Sequence, residues 1–210
     1  MYKRTKKYRV LISRVRDIQK HFVASFTDKD VMELSAREMD LCRGYKVLCH
    51  AEIEYYFEEI ARIILTESLW NWQNDKKVTL PIAGLLANYE KVDTNDSIST
   101  KINKIAADYN NILLKSNHGI KEENLKKIFG NLGVEVAELD AVWVGTLSSY
   151  GVSRGTIAHT SAMVQIPINI QEAINETNII LQGIENFEME LIRQTQIDLY
   201  RAEKRQMTHI

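Results

Sequence analysis

Apolar residues recur along this chain at intervals of three and four positions, the spacing of one face of an α-helix. The longest such pattern runs over about residues 31–72 and is rich in aromatic side chains, as expected of a central bundle helix. Other helices are predicted over about residues 6–22, 99–114, 121–129, 137–150 and 167–204. Pro167 suits the first position of the last helix, because the N–H that proline lacks is not needed there.

The predicted helices give an all-α fold, an up-and-down helical bundle with a small helical insertion at about residues 73–136. Asparagine, aspartate, proline and glycine interrupt the chain in that insertion. A chain of 210 residues with 45% apolar residues can build one core, so residues 1–210 are expected to form a single helical domain. Only 9 glycines and 2 prolines argue against a β-sandwich, a β-barrel or a disordered chain.

Charge is unevenly distributed, although the net charge is only −1. Residues 1–20 sum to +7, so the N-terminal helix predicted within residues 1–25 is strongly basic, and the other 190 residues sum to −8. A basic helix can follow a nucleic-acid backbone, and Lys6, Lys7 and Arg9 are the candidate RNA-binding residues. The alternative is that the basic residues pair with the acidic remainder of this chain or of a partner.

Cys42 and Cys49 lie seven positions apart on the predicted long helix, about 10 Å along its axis. That separation exceeds the reach of a disulfide, so both are expected to be buried thiols in a reducing compartment. The sequence has no N-terminal apolar run typical of a signal peptide and no 18-residue apolar span. These features predict a cytoplasmic protein without a membrane segment.

Several common sites are missing from the sequence. There is no glycine-rich phosphate loop, and neither Cys-x-x-Cys nor His-Glu-x-x-His occurs. His50 and Glu54 are one helical turn apart, but two ligands are too few for a stable metal site. We therefore expect neither a cofactor nor a metal.

The most informative segment runs over residues 153–160 and places Arg154 and His159 five positions apart. Gly151 is expected to break the preceding helix and Ser153 to cap a new one. Arg154 would then lie in a first helical turn, whose unpaired N–H groups and dipole attract anions. Together with a histidine that titrates near neutral pH, this suits chemistry on a phosphodiester. The alternative is that the arginine pairs with an acidic residue and the histidine is a polar core residue.

Helix geometry complicates a site made from these two residues. Five positions turn about 500°, so the two side chains would point roughly 140° apart on one helix. They converge only if Arg154 lies at a frayed helix start and reaches back, or if a second chain completes the site. Glu52 and Glu54, on the long helix, are candidates to orient either residue from across the bundle, because a buried arginine needs a partner.

An arginine followed after four residues by a histidine resembles the motif of the HEPN superfamily. Residues 47–58 are similar to the long second helix of its RiboL-PSP-like subgroup. Residues 117–121, followed by a short helix and Gly133, also resemble that subgroup, and the similarity covers about residues 35–200. The resemblance implies a helical bundle that forms a homodimer, with two copies of the motif at the interface.

The resemblance also implies an activity, since many members are similar to metal-independent endoribonucleases of toxin or phage-defence type. Arg154 would clamp the scissile phosphate of RNA and His159, from one subunit or both, would move protons, leaving a 2′,3′-cyclic phosphate. Gly155 departs from the pattern, because many relatives carry asparagine or aspartate there, and Thr156 or Thr160 is a candidate to compensate.

The rival hypothesis belongs to a different class. The chain would be an inactive helical dimerisation subunit that binds RNA or nucleotide within a defence or toxin–antitoxin complex. Arg154 and His159 would then be structural residues that hold the interface together, and an antitoxin or another defence subunit would be the partner.

Overall fold

A computed structural model describes residues 3–88, 95–159 and 167–207, without the side chains of Ile112, Leu113, Ala158 and His159. Within these residues the chain forms eight α-helices and no strand. The helices are α1 (Lys6–Phe22), α2 (Ala36–Asp75), α3 (Leu80–Asn88), α4 (Ile98–Asp108), α5 (Glu122–Phe129), α6 (Ala141–His159), α7 (Ile170–Thr195) and α8 (Leu199–Met207). This confirms the predicted all-α bundle, in which α3, α4 and α5 form the small helical insertion.

Helix α2 spans 40 residues and lies at the centre of the fold. Ser35 caps its start, since the Ser35 Oγ accepts the Glu38 N–H at 3.3 Å and the Glu38 carboxylate accepts the Ser35 N–H at 2.8 Å. The predicted start near residue 31 is therefore a few residues early, because Val31–Glu33 forms a separate 3₁₀ turn. Lys76, in the left-handed conformation, ends the helix.

Helix α1 runs antiparallel to the first half of α2, and two of its basic residues pair with that helix. The Lys7 Nζ lies 2.5 Å from the Glu59 carboxylate, and Arg14 lies 3.1 Å from Glu52. The buried carboxylate of Glu203, on α8, accepts the N–H groups of the first two residues of α1 at 2.5 and 2.8 Å. Part of the positive charge of α1 is thus neutralised by acidic residues of the same chain, which was the alternative to RNA binding.

Four aromatic side chains from four helices form the middle of the core. The Phe57 ring, on α2, packs edge-on against Phe129 of α5, Trp143 of α6 and Phe187 of α7, with ring centroids 5.3–6.3 Å apart. The Trp143 Nε1 donates a hydrogen bond to the Ile180 carbonyl at 3.0 Å, which satisfies the buried indole N–H. The cluster fixes α6 against α2 and so positions the candidate site.

The end of the chain differs from the predicted single helix over residues 167–204. Pro167 lies outside the helix, and Asn169 caps α7 by accepting the Glu172 N–H at 3.2 Å. Helix α7 ends at Gln196, whose φ of 58° is left-handed, and α8 follows after a short connection. The turn buries Ile197 and lets α8 pack back on α2, which a continuous helix could not do.

Candidate active site

Helix α6 carries Arg154 near its C-terminal end. The prediction that a new helix begins at Ser153 is wrong, since α6 begins at Ala141 and continues through Gly151 to His159. Gly151 is buried in the helix, where a Cβ would lie 2.8 Å from the Lys121 Cγ, so this glycine permits close packing rather than a break. Ser153 is therefore no cap, and no helix N-terminus contributes to anion binding at Arg154.

The guanidinium of Arg154 is a half-buried cation beside α2. Its Nε is buried without a hydrogen-bond partner within the described residues. No carboxylate in that part of the chain lies within 4.0 Å of the Arg154 nitrogens, although other basic side chains there form ion pairs, such as Arg4 with Glu185 and Arg205 with Glu67. A buried donor of a charged group is costly to leave unpaired, so this arginine is available to an anionic ligand.

His50 lies on α2 behind the arginine and is only 1% exposed. Burial, together with the charge of Arg154, lowers the pKa of His50 to about 4, so the imidazole is neutral at neutral pH. Its ring stacks on Tyr150 of α6, with centroids 6.4 Å apart and planes 7° apart. The His50 Nδ1 lies 3.5 Å from the Glu54 carboxylate without forming a hydrogen bond. The His50 side chain is thus too deeply buried for a ligand to contact it.

Glu54 is the acidic residue that the fold brings to Arg154. Burial and the charge of Glu58 raise the pKa of Glu54, while a hydrogen bond from the Gly119 N–H and the charges of Arg154 and His118 lower it in part. Of the two predicted acids, Glu54 alone faces the arginine. Its neighbour two positions earlier, Glu52, is rotated by about 200° to the side of α1 and pairs with Arg14 there.

Hydrogen bonds hold the loop over residues 117–121 beside Glu54. The Asn117 amide is 2% exposed, donates to the Gly119 carbonyl at 3.0 Å and accepts from the Asn124 amide at 3.0 Å. A Cβ on Gly119 would lie 2.8 Å from the Asn124 Oδ1, so only glycine fits without a shift. The loop leaves the His118 side chain exposed. This loop belongs to the family resemblance in sequence, but its position beside Glu54 arises only in the folded chain.

The remaining predicted residues are spread over the molecule. Thr156 is exposed on α6, and its hydroxyl donates to the Val152 carbonyl at 3.3 Å within the same helix. His159 ends α6, but its side chain and the whole of Thr160 lie outside the described residues. On α1, Lys6 and Arg9 are exposed, whereas Lys7 is engaged by Glu59.

No group of three histidine, cysteine, aspartate or glutamate side chains within the described residues could hold a metal ion. The described helices also include none that is long and apolar enough to span a membrane.

The neutral state of His50 predicts a specific loss of stability in acid. Its folded-state pKa of about 4 lies below the ordinary value of 6.5, so the unfolded chain takes up the proton first as the pH falls. The free energy of unfolding should therefore drop between pH 6.5 and 4, by up to ~3 kcal/mol from this group. Urea unfolding at several pH values measures the loss.

The variant His50→Gln is the control, because it keeps a polar side chain but cannot titrate. Its unfolding free energy at pH 7 should be lower than that of the wild type, and its decline between pH 6.5 and 4 shallower. Glu54 has a raised pKa and so acts in the opposite direction in this range, but it is present in both proteins. Parallel declines in the two proteins would exclude a buried, neutral His50.

Comparison with known families agrees with the sequence motifs. A model of the RiboL-PSP-HEPN family matches residues 9–192, which is most of the chain, so the protein belongs to this HEPN-type family. The resemblance proposed from the arginine–histidine motif is thereby confirmed. A nuclease or RNA-binding role fits membership of such a family. No curated protein and no solved structure matches the chain.

Proposed function

We propose that this protein is a metal-independent endoribonuclease of toxin or phage-defence type, with Arg154 and His159 as its catalytic residues. The observation that carries the proposal is the half-buried Arg154 guanidinium, whose Nε has no partner among the described residues. In this mechanism the 2′-hydroxyl of RNA attacks the adjacent phosphate while His159 moves a proton. Arg154 binds the phosphate and stabilises the charge that develops on it.

The backbone of α6 supports a site that two chains share. Because the helix is continuous through His159, positions 154 and 159 lie about 140° apart around its axis. A frayed helix start at Arg154 is no longer an alternative, which favours a site completed by a second chain. In a two-fold dimer each interface patch occurs twice, and the histidine of one subunit can meet the arginine of the other.

An exposed apolar face of α2 suits a second copy of the chain. Leu48 and Tyr55 are 39% and 53% exposed there, with Ala51 between them. Val10 of the neighbouring α1 is 46% exposed. Around the α2 axis Ala51 lies about 60° from Glu54, and Tyr55 and Leu48 lie farther round toward Glu52, so this face extends from the border of the site to α1. Exposed apolar residues that cluster in this way are typical of protein interfaces.

Val142 of α6 and Ile98 of α4 serve as the matched control, because they are 79% and 55% exposed. Val142 lies about 18 Å along α6 from Arg154, and α4 packs on Trp72, about 25 Å along α2 from Tyr55. We expect Leu48→Asp with Tyr55→Asp to weaken the dimer by at least about tenfold, because buried unpaired carboxylates are costly. Val142→Asp with Ile98→Asp should leave the dimer intact. Sedimentation of both double variants over a concentration range shows whether the exposed face of α2 forms the dimer.

Expression in a bacterial host tests the activity itself. Wild type should slow growth and fragment cellular RNA, whereas His159→Ala should do neither at the same protein level. Arg201→Ala removes an exposed arginine in the first turn of α8 and is the charge control. Growth arrest and RNA fragmentation that persist in His159→Ala would contradict the proposal. If RNA stays intact with the wild type and with both variants, the rival hypothesis of an inactive RNA- or nucleotide-binding subunit is favoured.

A further inference from the structure

Cleavage of RNA by its own 2′-hydroxyl needs two proton carriers. One bond forms between the 2′-oxygen and phosphorus, and the bond from phosphorus to the 5′-oxygen breaks. A base takes the proton of the attacking hydroxyl, and an acid gives a proton to the leaving 5′-oxygen. His159 fills one of these positions in the function proposed above, on which this inference rests. A second copy of His159 is one candidate for the other position, and the remaining imidazoles of the chain are the others.

The locations of the described histidines show which of them can act as the second proton carrier. His50 is 1% exposed and lies behind Arg154, so it cannot touch the phosphate that the arginine binds. His21 lies at the end of α1, where the neighbouring Phe22 contacts Gly44 of α2. Gly44 is ten residues from Glu54, which is about 15 Å along the helix. His118 is exposed in the loop whose Lys121 packs against Gly151 of α6, one turn before Arg154, and its charge reaches Glu54.

The surroundings of His118 resemble those of a positioned catalytic group. The next residue, Gly119, donates its N–H to the Glu54 carboxylate, which fixes the loop to the site. The amides of Asn117 and Asn124 bind each other and the loop backbone, and the Lys127 Nζ donates to the Ser116 carbonyl at 3.1 Å. Such a supporting shell holds a side chain in place before the substrate arrives.

We propose that His118 is the general acid of this site, which protonates the leaving 5′-oxygen while His159 accepts the proton of the 2′-hydroxyl. Glu54 is the positioning residue between His118 and Arg154. The Glu54 carboxylate holds the loop that carries His118 through the Gly119 N–H, and the charge of Arg154 also acts on it. In this arrangement the three side chains form one edge of the phosphate site.

A modified substrate separates this role from a structural one. In an RNA with sulfur in place of the 5′-oxygen at the bond that is cut, the leaving thiolate needs no proton. We expect His118→Ala to cleave ordinary RNA at least about 100-fold more slowly than the wild type. On the sulfur-containing RNA it should come within about tenfold of the wild type. His159→Ala, which lacks the base, should stay slow on both substrates.

Two further variants make the outcome decisive. His21→Gln, which removes another exposed imidazole, should leave both rates unchanged, and His118→Gln should behave like the alanine variant. Because His118 is exposed, thermal unfolding of its variants should match the wild type. Wild-type rates for His118→Ala on ordinary RNA, or equal losses on both substrates, would overturn the role of His118 while leaving the ribonuclease intact. A wild type that cuts neither RNA would remove the proposed function itself.

Discussion

Arg154→Ala is expected to slow RNA cleavage by about 100- to 1,000-fold, the usual effect of removing one group that stabilises transition-state charge. The loss should appear mainly in kcat, because the charge on the phosphate grows as the 2′-oxygen attacks. Arg154→Lys should recover a small part of the rate, since lysine keeps the charge but not the planar donor pair. Single-turnover kinetics on a labelled RNA measure both variants beside Arg201→Ala, which should match the wild type.

Stability measurements on the same variant distinguish the two classes of function. Within the part of the chain that the structure describes, the Arg154 Nε has no partner and no carboxylate lies within 4.0 Å of the guanidinium. Its truncation should therefore cost less than about 1 kcal/mol of unfolding free energy and leave the dimer intact. A large drop in Tm or a dissociated dimer, with no activity in the wild type to lose, would favour the structural role of the rival hypothesis.

Gly183→Ala is expected to destabilise the fold by about 3 kcal/mol, which is at the upper end for overpacked cores. A Cβ at this position of α7 would overlap the indole ring of Trp143. The ring cannot move aside easily, because it packs against Phe57 and Phe187 and donates its N–H to the Ile180 carbonyl. Urea unfolding followed by tryptophan fluorescence measures the loss.

Gly130→Ala is the matched control and should change stability in the opposite direction. Gly130 has the right-handed conformation, with φ −60° and ψ −37°, and a Cβ there meets nothing within 4 Å. Alanine should stabilise the protein by about 0.4–1 kcal/mol by restricting the unfolded chain. Equal changes in unfolding free energy for the two substitutions would show that Gly183 of α7 does not pack closely against Trp143.

Periodicity predicted the helices whose boundaries have local signals. Helices α1 and α5 match their predicted ranges to within a residue. The start of α2 was predicted about five residues early, although Ser35 and Glu38 form a capping box that can be recognised in the sequence. Gly151 misled the prediction because a glycine that ends a helix and one that permits close packing look alike in sequence. The choice between them depends on Lys121, 30 positions earlier, and only the fold brings the two together.

The candidate site was predicted in part. The motif identified Arg154, and the need of an arginine for an acid pointed to two glutamates of α2. Which glutamate faces the arginine depends on the rotation of α2, and a difference of two positions sends Glu52 to α1 while Glu54 reaches the site. His118 was missed because its place beside Glu54 arises from packing of a loop 64 positions away along the chain.

The chemistry of the RNA ends tests the proposed mechanism most directly. Purified wild-type protein is incubated with RNA in excess EDTA, and the ends of the fragments are determined. We predict cleavage without divalent ions, a 2′,3′-cyclic phosphate on the upstream fragment and a free 5′-hydroxyl on the downstream one. A requirement for a divalent ion, or fragments with a 3′-hydroxyl and a 5′-phosphate, would contradict attack by the 2′-hydroxyl at a site built from Arg154 and His159.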